Sequence, residues 1–310
     1  MRFKLFLSAL ALSASPLTAQ SPDAPFLVRE RNEAYQSLQD AVNAIGGGTG
    51  TIVIAPGTYR DCAVQEAGRV TFTAAKPGTV IFNGGICQDK ATLVLSGRSA
   101  KVEGLVFQNL RVADGNGSGI RLEGGDLIVT ESLFRDSESG ILSANDLKSS
   151  VRVERSTFSR LGRCDRDLAC AHSIYIGEFG SLSVVRSRFE KGSGGHYVKS
   201  RAPRVEIVDS SFDDTAGTAT NYMIDLPHGA VGAIARNVFV QGKDKENYSA
   251  LIFVAGEGVT NSSNGLVIAD NEASIAPGAN GTSFVADMSG HRIRIENNRL
   301  AERIARYEKR

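Results

Sequence analysis

The chain has 310 residues, and its 35 lysine and arginine residues nearly balance 34 aspartate and glutamate residues, which gives a formal net charge of +1. Phosphate binding usually requires a basic excess, so this balance argues against a nucleic-acid partner, while a local basic groove for an acidic polymer stays open. After the N-terminal segment, no stretch of the sequence is long and apolar enough to span a bilayer.

Residues 1–19 are predicted to form a signal peptide. A charged start is followed by an apolar stretch from Leu5 to Leu12 and by a small-residue cleavage site that ends at Ala19. A membrane anchor is the alternative, but an anchor needs roughly 20 apolar residues and this stretch is shorter. We therefore expect a periplasmic or secreted protein in which residues 20–310 form a single domain.

A helix and two strands are predicted at the start of the mature chain. Apolar residues recur at helical spacing within 34–45, and three glycines at 46–48 then end the pattern. A helix at this place would cap the first coil of a repetitive fold, whose open end must be covered. Residues 51–54 and 70–73 have the composition of strands.

Two pairs of cysteines are predicted to form disulfides, because an exported chain meets an oxidising compartment. Cys62 and Cys87 lie 25 residues apart, about one coil of a solenoid, and Cys164 and Cys170 would close a short loop that interrupts the repeat. Four free, buried thiols are the alternative, which export disfavours.

Six later strands are predicted to end in a phenylalanine that follows two small or apolar residues, Arg188 being the one polar exception. The intervals between these phenylalanines are 27, 24, 31, 23 and 27 residues, and the residues are Phe107, Phe134, Phe158, Phe189, Phe212 and Phe239. A period near the length of one coil indicates a solenoid.

Two ladders of strands follow the same period. The first alternates apolar and polar residues and comprises 151–153, 182–184, 205–207 and 293–295. The second comprises 120–122, 141–143, 174–176, 198–200, 224–226 and 252–254. A β-sandwich is the alternative, but its strands would not recur as paired ladders at one coil length. The pattern therefore predicts an all-β fold, a right-handed parallel β-helix with an N-terminal capping helix.

Polar side chains gather on three consecutive repeats of the second ladder, at 172–177, 195–202 and 221–229. Because neighbouring strands lie roughly 4.8 Å apart, the middle residues of these repeats are predicted to stack in one column on the outer face. The residues in and beside this column are Tyr175, Lys199, Asp225, Arg201, His172, His196 and His228.

Each of these residues also has an ordinary structural explanation. A surface pair of Lys199 with Asp225 contributes roughly 0–1 kcal/mol to stability and needs no further role. A histidine at a strand start can bond a turn carbonyl, and Tyr175 suits a half-exposed strand. The concentration of all these side chains on neighbouring coils nevertheless favours a functional site.

These segments resemble secreted bacterial proteins of the right-handed parallel β-helix-repeat group. The motifs that carry the resemblance are His-x-Ile-Tyr-x-Gly at 172–177, Gly-His-x-x-Lys-Ser-Arg-Ala at 195–202 and Ile-Asp-x-Pro-x-Gly at 224–229. The similarity continues from 246–247 to 256–258 and covers most of the mature chain. It implies a β-helix of the pectin lyase type.

A more distant similarity connects the chain with β-helical polysaccharide lyases such as chondroitinase B and alginate lyases. Those enzymes have a Lys-Ser pair on one coil, with lysine as the base, and Arg-His-Gly on the next, with arginine as the acid. Lys199 and Ser200 match the first pair, whereas 227–229 reads Pro-His-Gly, so proline occupies the position of the catalytic arginine.

We therefore expect a polysaccharide lyase that cleaves a uronate-containing polymer by β-elimination. The reaction requires neutralisation of the uronate carboxylate, a base for the C5 proton and an acid for the leaving O4. Lys199 is the expected base if Arg201 favours its neutral form, an effect that Asp225 opposes. Alternatively, Arg201 clamps the carboxylate while Tyr175 or His196 moves protons. The residues expected to bind substrate are His172, Asp225, His228 and Glu257.

Two other functions stay open. A glycoside hydrolase needs two suitably spaced carboxylates, yet only Asp225 lies in the charged part of the column, while Glu257 and Asp287 belong to later coils. A non-catalytic carbohydrate-binding or envelope protein is the other alternative, although the chain has no tryptophan for sugar stacking. We expect a monomer that acts on an acidic polysaccharide; no metal ligands are assigned, and the cofactor is left open with calcium as a candidate.

Overall fold

Three parallel sheets form the faces of a β-helix in the computed structural model, which describes residues 24–310. The predicted signal peptide, residues 1–19, lies outside the described residues. Each coil contributes one strand to sheet A, one to sheet B and one to sheet C, in that order along the chain. The predicted fold class is confirmed.

Sheet A has 12 strands and begins with an antiparallel pair that precedes the first coil. Its strands are Phe26–Val28, Glu33–Tyr35, Thr49–Ile54, Arg69–Ala74, Ser99–Glu103, Asp126–Thr130, Asp146–Glu154, Phe179–Val185, Arg204–Val208, Val231–Ala235, Val267–Ala269 and Arg294–Glu296. The first predicted ladder lies in this sheet, apart from Ile293, which precedes its strand.

Sheet B has ten strands, and the phenylalanine repeats belong to it. The strands are Gly57–Tyr59, Val80–Asn83, Leu105–Gln108, Leu133–Ser137, Thr157–Leu161, Arg188–Glu190, Ser211–Asp213, Val238–Gln241, Glu272–Ile275 and Arg299–Leu300. The sequence predicts two ladders, and the structure has three. The predicted phenylalanine strands, which belong to neither predicted ladder, form a face of their own.

Sheet C also has ten strands and contains the second predicted ladder. Its strands are Ala63–Gln65, Ala91–Leu95, Ser118–Leu122, Ser139–Ser143, Ile174–Ile176, Val198–Ser200, Ile224–Leu226, Ala250–Val254, Thr282–Asp287 and Ile304–Lys309. The candidate site therefore lies on this face of the solenoid.

A stack of phenylalanine rings fills the core behind sheet B. The six phenylalanines of the repeat are fully buried, and neighbouring ring centroids lie 4.8–5.0 Å apart with nearly parallel planes. That separation equals the spacing between strands, so one residue type at one position on each coil produces the stack. Offset stacking adds to the free energy gained from burying the rings.

A ladder of serine and asparagine explains the small residue two places before most of these phenylalanines. The backbone N–H of Ser132 donates to Ser156 Oγ (3.2 Å), and the N–H of Ser210 donates to Asn237 Oδ1 (2.9 Å). The ladder residues are Ser132, Ser156, Ser187, Ser210, Asn237, Asn271 and Asn298. Each side chain satisfies a buried turn donor on the preceding coil.

The capping helix spans Leu38–Ile45 and is shorter than the predicted segment 34–45. Ser37 is its N-cap and accepts a hydrogen bond from the backbone N–H of Asp40. The preceding residues cannot be helical because they belong to the strand Glu33–Tyr35, which pairs with Phe26–Val28. In the part of the chain that the structure describes, no helix has the length and hydropathy of a membrane span.

Both predicted disulfides are confirmed. The Cys62–Cys87 sulfurs are 2.00 Å apart and join adjacent coils, whereas the Cys164–Cys170 sulfurs are 2.03 Å apart and close the short loop before His172.

Candidate functional site

The polar column of sheet C exists in the register that the spacing predicts. Tyr175 pairs with Lys199, and Lys199 pairs with Asp225. Leu142 precedes Tyr175 in this column, and Phe253 follows Asp225. Three chemically different side chains therefore lie side by side, each about 4.8 Å from the next along the stack.

Two members of the column are buried, although the sequence predicts side chains on an outer face. Lys199 and Asp225 have little exposure. Glu257, in the segment after Ala250–Val254, contacts Lys199, and Lys199 contacts Asp225. The backbone N–H of Glu257 in this segment donates to the carbonyl of Pro227 (2.9 Å), which ties it to the preceding coil. A strand pattern cannot reveal such a returning loop.

Lys199 is held between two carboxylates. Its Nζ lies 3.3 Å from Asp225 Oδ2 and 2.5 Å from Glu257 Oε1. Arg201 donates to the other oxygen of Glu257. Both cations also lie over the ring of Tyr175, with Arg201 Cζ 5.0 Å and Lys199 Nζ 5.7 Å from its centroid. Glu257, which the sequence assigns to a later coil outside the charged part of the column, thus contacts the same lysine as Asp225.

Charge and burial shift the pKa values of the two carboxyl groups in opposite directions. Burial raises the pKa of Asp225 to about 6, against the lowering effect of the Lys199 ammonium. Partial burial also acts to raise the pKa of Glu257, but the hydrogen bonds from Lys199 and Arg201 hold it below its usual value. Glu257 is therefore the more strongly ionised partner of the cation pair.

The two predicted histidines form part of an aromatic ladder beside the column. The His172 and His196 rings are 4.8 Å apart, and the backbone N–H of His196 donates to His172 Nδ1 (3.0 Å). Tyr222 continues the ladder, 5.4 Å from His196 and 4.7 Å from Phe253. Sequence reasoning missed Tyr222, although it lies three residues before Asp225, the offset that places both histidines.

Burial makes the histidines neutral. It lowers the pKa of His196 to about 3, with a further lowering by the nearby Lys199 ammonium. Burial also lowers the pKa of His172 well below its ordinary value, and His196 adds to this effect. His196 Nε2 lies 3.4 Å from Asp225 Oδ2, so this ring packs against the column. The ring is buried and does not face solvent.

His228 lies in the turn after Ile224–Leu226, and its Nδ1 is 3.7 Å from Glu178 Oε1. Its contact is thus with the turn two coils earlier rather than with the cation pair. The other predicted site residues lie together around Lys199.

The carboxylates of this site do not fit a calcium ion. Calcium takes six to eight oxygen ligands, whereas Asp225 Oδ2 and both carboxylate oxygens of Glu257 are engaged by Lys199 and Arg201. One other group with metal-binding atoms occurs in the described range, at Cys164, Cys170 and Glu246. Its two sulfurs are joined in a disulfide and are therefore not thiolate ligands.

A pH dependence of stability follows from the raised pKa of Asp225. Its contribution to the free energy of unfolding is fully present below the unfolded value of 3.8 and is lost as the pH rises through about 6, on the order of 3 kcal/mol in total. We expect the stability of the wild type relative to Asp225→Asn to fall from about pH 4 to about pH 7. Urea unfolding at a series of pH values measures this difference, and parallel curves for the two proteins would contradict it.

No protein-family model and no curated protein matches the sequence. Among solved structures, ORF18 of Geobacillus virus E2 is similar with a TM-score of 0.50 and 13% identity, over 84% of this chain and 56% of that protein. The surface protein and adhesin PfbA of Streptococcus pneumoniae gives a TM-score of 0.39 and 12% identity, over 88% of this chain and 94% of that protein. The catalytic unit of the GH87 alpha-1,3-glucanase of Streptomyces thermodiastaticus gives a TM-score of 0.35 and 13% identity, over 87% of this chain and 63% of that protein.

At this level of identity, the similarity to the viral protein supports the β-solenoid fold alone. The chain spans 56% of that protein's length, and the other two structures add no argument. A relationship to polysaccharide lyases thus stays a hypothesis.

Proposed function

We propose that the protein is an exported polysaccharide lyase that cleaves a uronate-containing polymer at the Lys199–Arg201 pair. The observation that carries this proposal is the sharing of one carboxylate, that of Glu257, by both cations. Two cations arranged to hold one carboxylate match the first requirement of β-elimination, which is neutralisation of the uronate carboxylate. The two disulfides suit an exported protein.

Lys199 and Arg201 together take the role of carboxylate clamp in this proposal. An ammonium group is a donor only, and Lys199 already donates to Asp225 and Glu257. The expectation that Lys199 is the base requires it to lose its proton while both carboxylates contact it. We therefore assign both proton transfers to Tyr175, a half-buried phenol beside both cations. Its oxygen accepts the C5 proton while its own proton passes to the leaving O4, so the phenol is neutral before and after the step.

The location of the site suits a long substrate. Cavities of about 460 Å³ and 570 Å³ lie elsewhere, the first beside the capping helix and the second along the last coils near Ser283 and Arg310. The cation pair instead lies on a sheet face, where a polymer can cross several coils without entering an enclosed pocket.

Glycoside hydrolysis is less well supported, although the structure brings two carboxylates to one lysine. Asp225 and Glu257 approach the same Nζ at 3.3 Å and 2.5 Å, which is compatible with the spacing of about 5–5.5 Å between the carboxyl groups of retaining glycosidases. The Asp225 side chain is only 5% exposed and is covered by Lys199. It is therefore poorly placed to protonate a glycosidic oxygen.

A screen of acidic polysaccharides for new ultraviolet absorbance tests this proposal. β-Elimination creates an unsaturated uronate end that absorbs, whereas hydrolysis creates a saturated reducing end that does not. We expect absorbance to rise with at least one uronate polymer. Binding without cleavage would instead support the carbohydrate-binding alternative.

A further inference from the structure

Glu257 differs from the other groups at the site in its exposure. Its side chain is 43% exposed, whereas those of Lys199 and Arg201 are 11% and 19% exposed. The Glu257 carboxylate therefore lies on the solvent side of two more deeply buried cations and pairs with both of them. Asp225 contacts the same lysine from the buried side.

The segment that carries Glu257 allows its side chain to leave the cations. Residues 257–260 are exposed, and glycines flank Glu257 on both sides. A Cβ at Gly256 would lie 2.0 Å from the Phe253 ring, so the backbone before Glu257 is packed tightly against sheet C. No atom lies within 4 Å of a Cβ placed at Gly258, so the other side is open. Rotation of the Glu257 side chain suffices, and the backbone bond to Pro227 can persist.

We propose that Glu257 is an internal substitute for the substrate carboxylate, and that a uronate displaces it from Lys199 and Arg201. This inference rests on the proposed function. The exchange breaks no covalent bond: one carboxylate leaves the two cations, another takes its place, and Glu257 turns into solvent. Glu257 would then weaken binding and select against ligands that lack a carboxylate, because only an anion can replace it without leaving the cations unpaired.

The alternative is that Glu257 itself holds the substrate, by accepting hydrogen bonds from sugar hydroxyls. The two roles predict opposite effects of removing its charge. Glu257→Gln keeps the shape of the side chain and frees the cations, so displacement predicts tighter binding of uronates. Direct contact with sugar hydroxyls predicts weaker binding.

Calorimetric titration with trimers of galacturonate and of alginate tests the inference. We expect Glu257→Gln to bind at least one trimer about tenfold or more tightly than the wild type, because an ionised competitor for charge-assisted hydrogen bonds is gone. Glu178→Gln is the matched control, since it removes the same charge from a nearby exposed side chain that contacts His228 and should change affinity by less than about twofold. A methyl-esterified galacturonate trimer should show no gain.

The titrations distinguish failure of the displacement inference from failure of the proposed function. If the wild type binds a trimer and Glu257→Gln binds it equally or more weakly, the displacement inference is wrong while the proposed function stands. If Glu257→Gln binds and the wild type does not, the inference is supported directly. If neither protein binds either trimer, both the inference and the proposed function fail for these uronates.

Discussion

Replacing Lys199 by methionine is expected to lower turnover of the uronate polymer by at least about a hundredfold, because a preorganised charge at the reacting carboxylate is lost. Methionine keeps the apolar stem, so the change isolates the ammonium. We also expect a loss of about 1–3 kcal/mol in the free energy of unfolding, because Asp225 keeps its burial but loses a charged partner. The sequence, which predicts an outward-facing Lys199, implies almost no loss. Turnover and urea unfolding of the same preparation measure both effects.

A second site variant and a control variant separate the role of the site from a general effect of charge. Arg201→Lys should also be severely impaired, since lysine cannot reproduce a planar two-point contact with a carboxylate. Lys191→Met removes an exposed lysine whose contact is with Glu190, and it should leave turnover unchanged. Near-wild-type turnover of Lys199→Met would remove Lys199 from the mechanism and favour the binding alternative.

Replacing Lys245 by methionine is expected to lower the free energy of unfolding by about 3–5 kcal/mol. Lys245 Nζ lies 3.0 Å from Asp214 Oδ2, and both side chains are fully shielded from solvent. The ammonium also donates to Thr220 Oγ1 (3.1 Å) and to the carbonyl of Asn221 (2.6 Å), while the Tyr197 hydroxyl donates to Asp214 Oδ1 (2.7 Å). Without Lys245, the buried Asp214 carboxylate loses its cationic partner.

The cost should come mainly from the carboxylate that is left behind. The double variant Lys245→Met with Asp214→Asn is therefore expected to recover part of the stability lost in the single variant. Chemical denaturation of the wild type, both single variants and the double variant gives the coupling energy. A loss below about 1 kcal/mol in Lys245→Met, with no coupling to Asp214, would show that the pair contributes little.

The architecture could be predicted because each coil repeats the same chemistry at the same position. The phenylalanine at 158 and the serine at 156 each serve one purpose, a ring in the stack and an acceptor in the ladder, so their recurrence marks the central turns of the solenoid. The third sheet was not predicted because the short phenylalanine strands, such as Arg188–Glu190, lack a long alternation of apolar and polar residues.

The site could be predicted only in part. Strand register brings Tyr175, Lys199 and Asp225 together, and a constant coil spacing is enough to foresee that. The return of Glu257 onto Lys199 depends on a loop between coils, and loop paths are not specified by a repeat. The buried pair of Lys245 and Asp214 could not be predicted for the same reason, because Lys245 lies in a loop outside the repeating strands.

The proposed function of this site is cleavage of a uronate polymer by elimination. Digestion in water enriched in heavy oxygen, followed by mass spectrometry of the products, tests it most directly. Elimination breaks the bond to O4 without adding water, so we predict products that carry no heavy oxygen and have an unsaturated uronate at the new non-reducing end. Lys199→Met should give no such products. Heavy oxygen in products whose new non-reducing end is saturated would mean hydrolysis, and the proposed elimination would then be wrong.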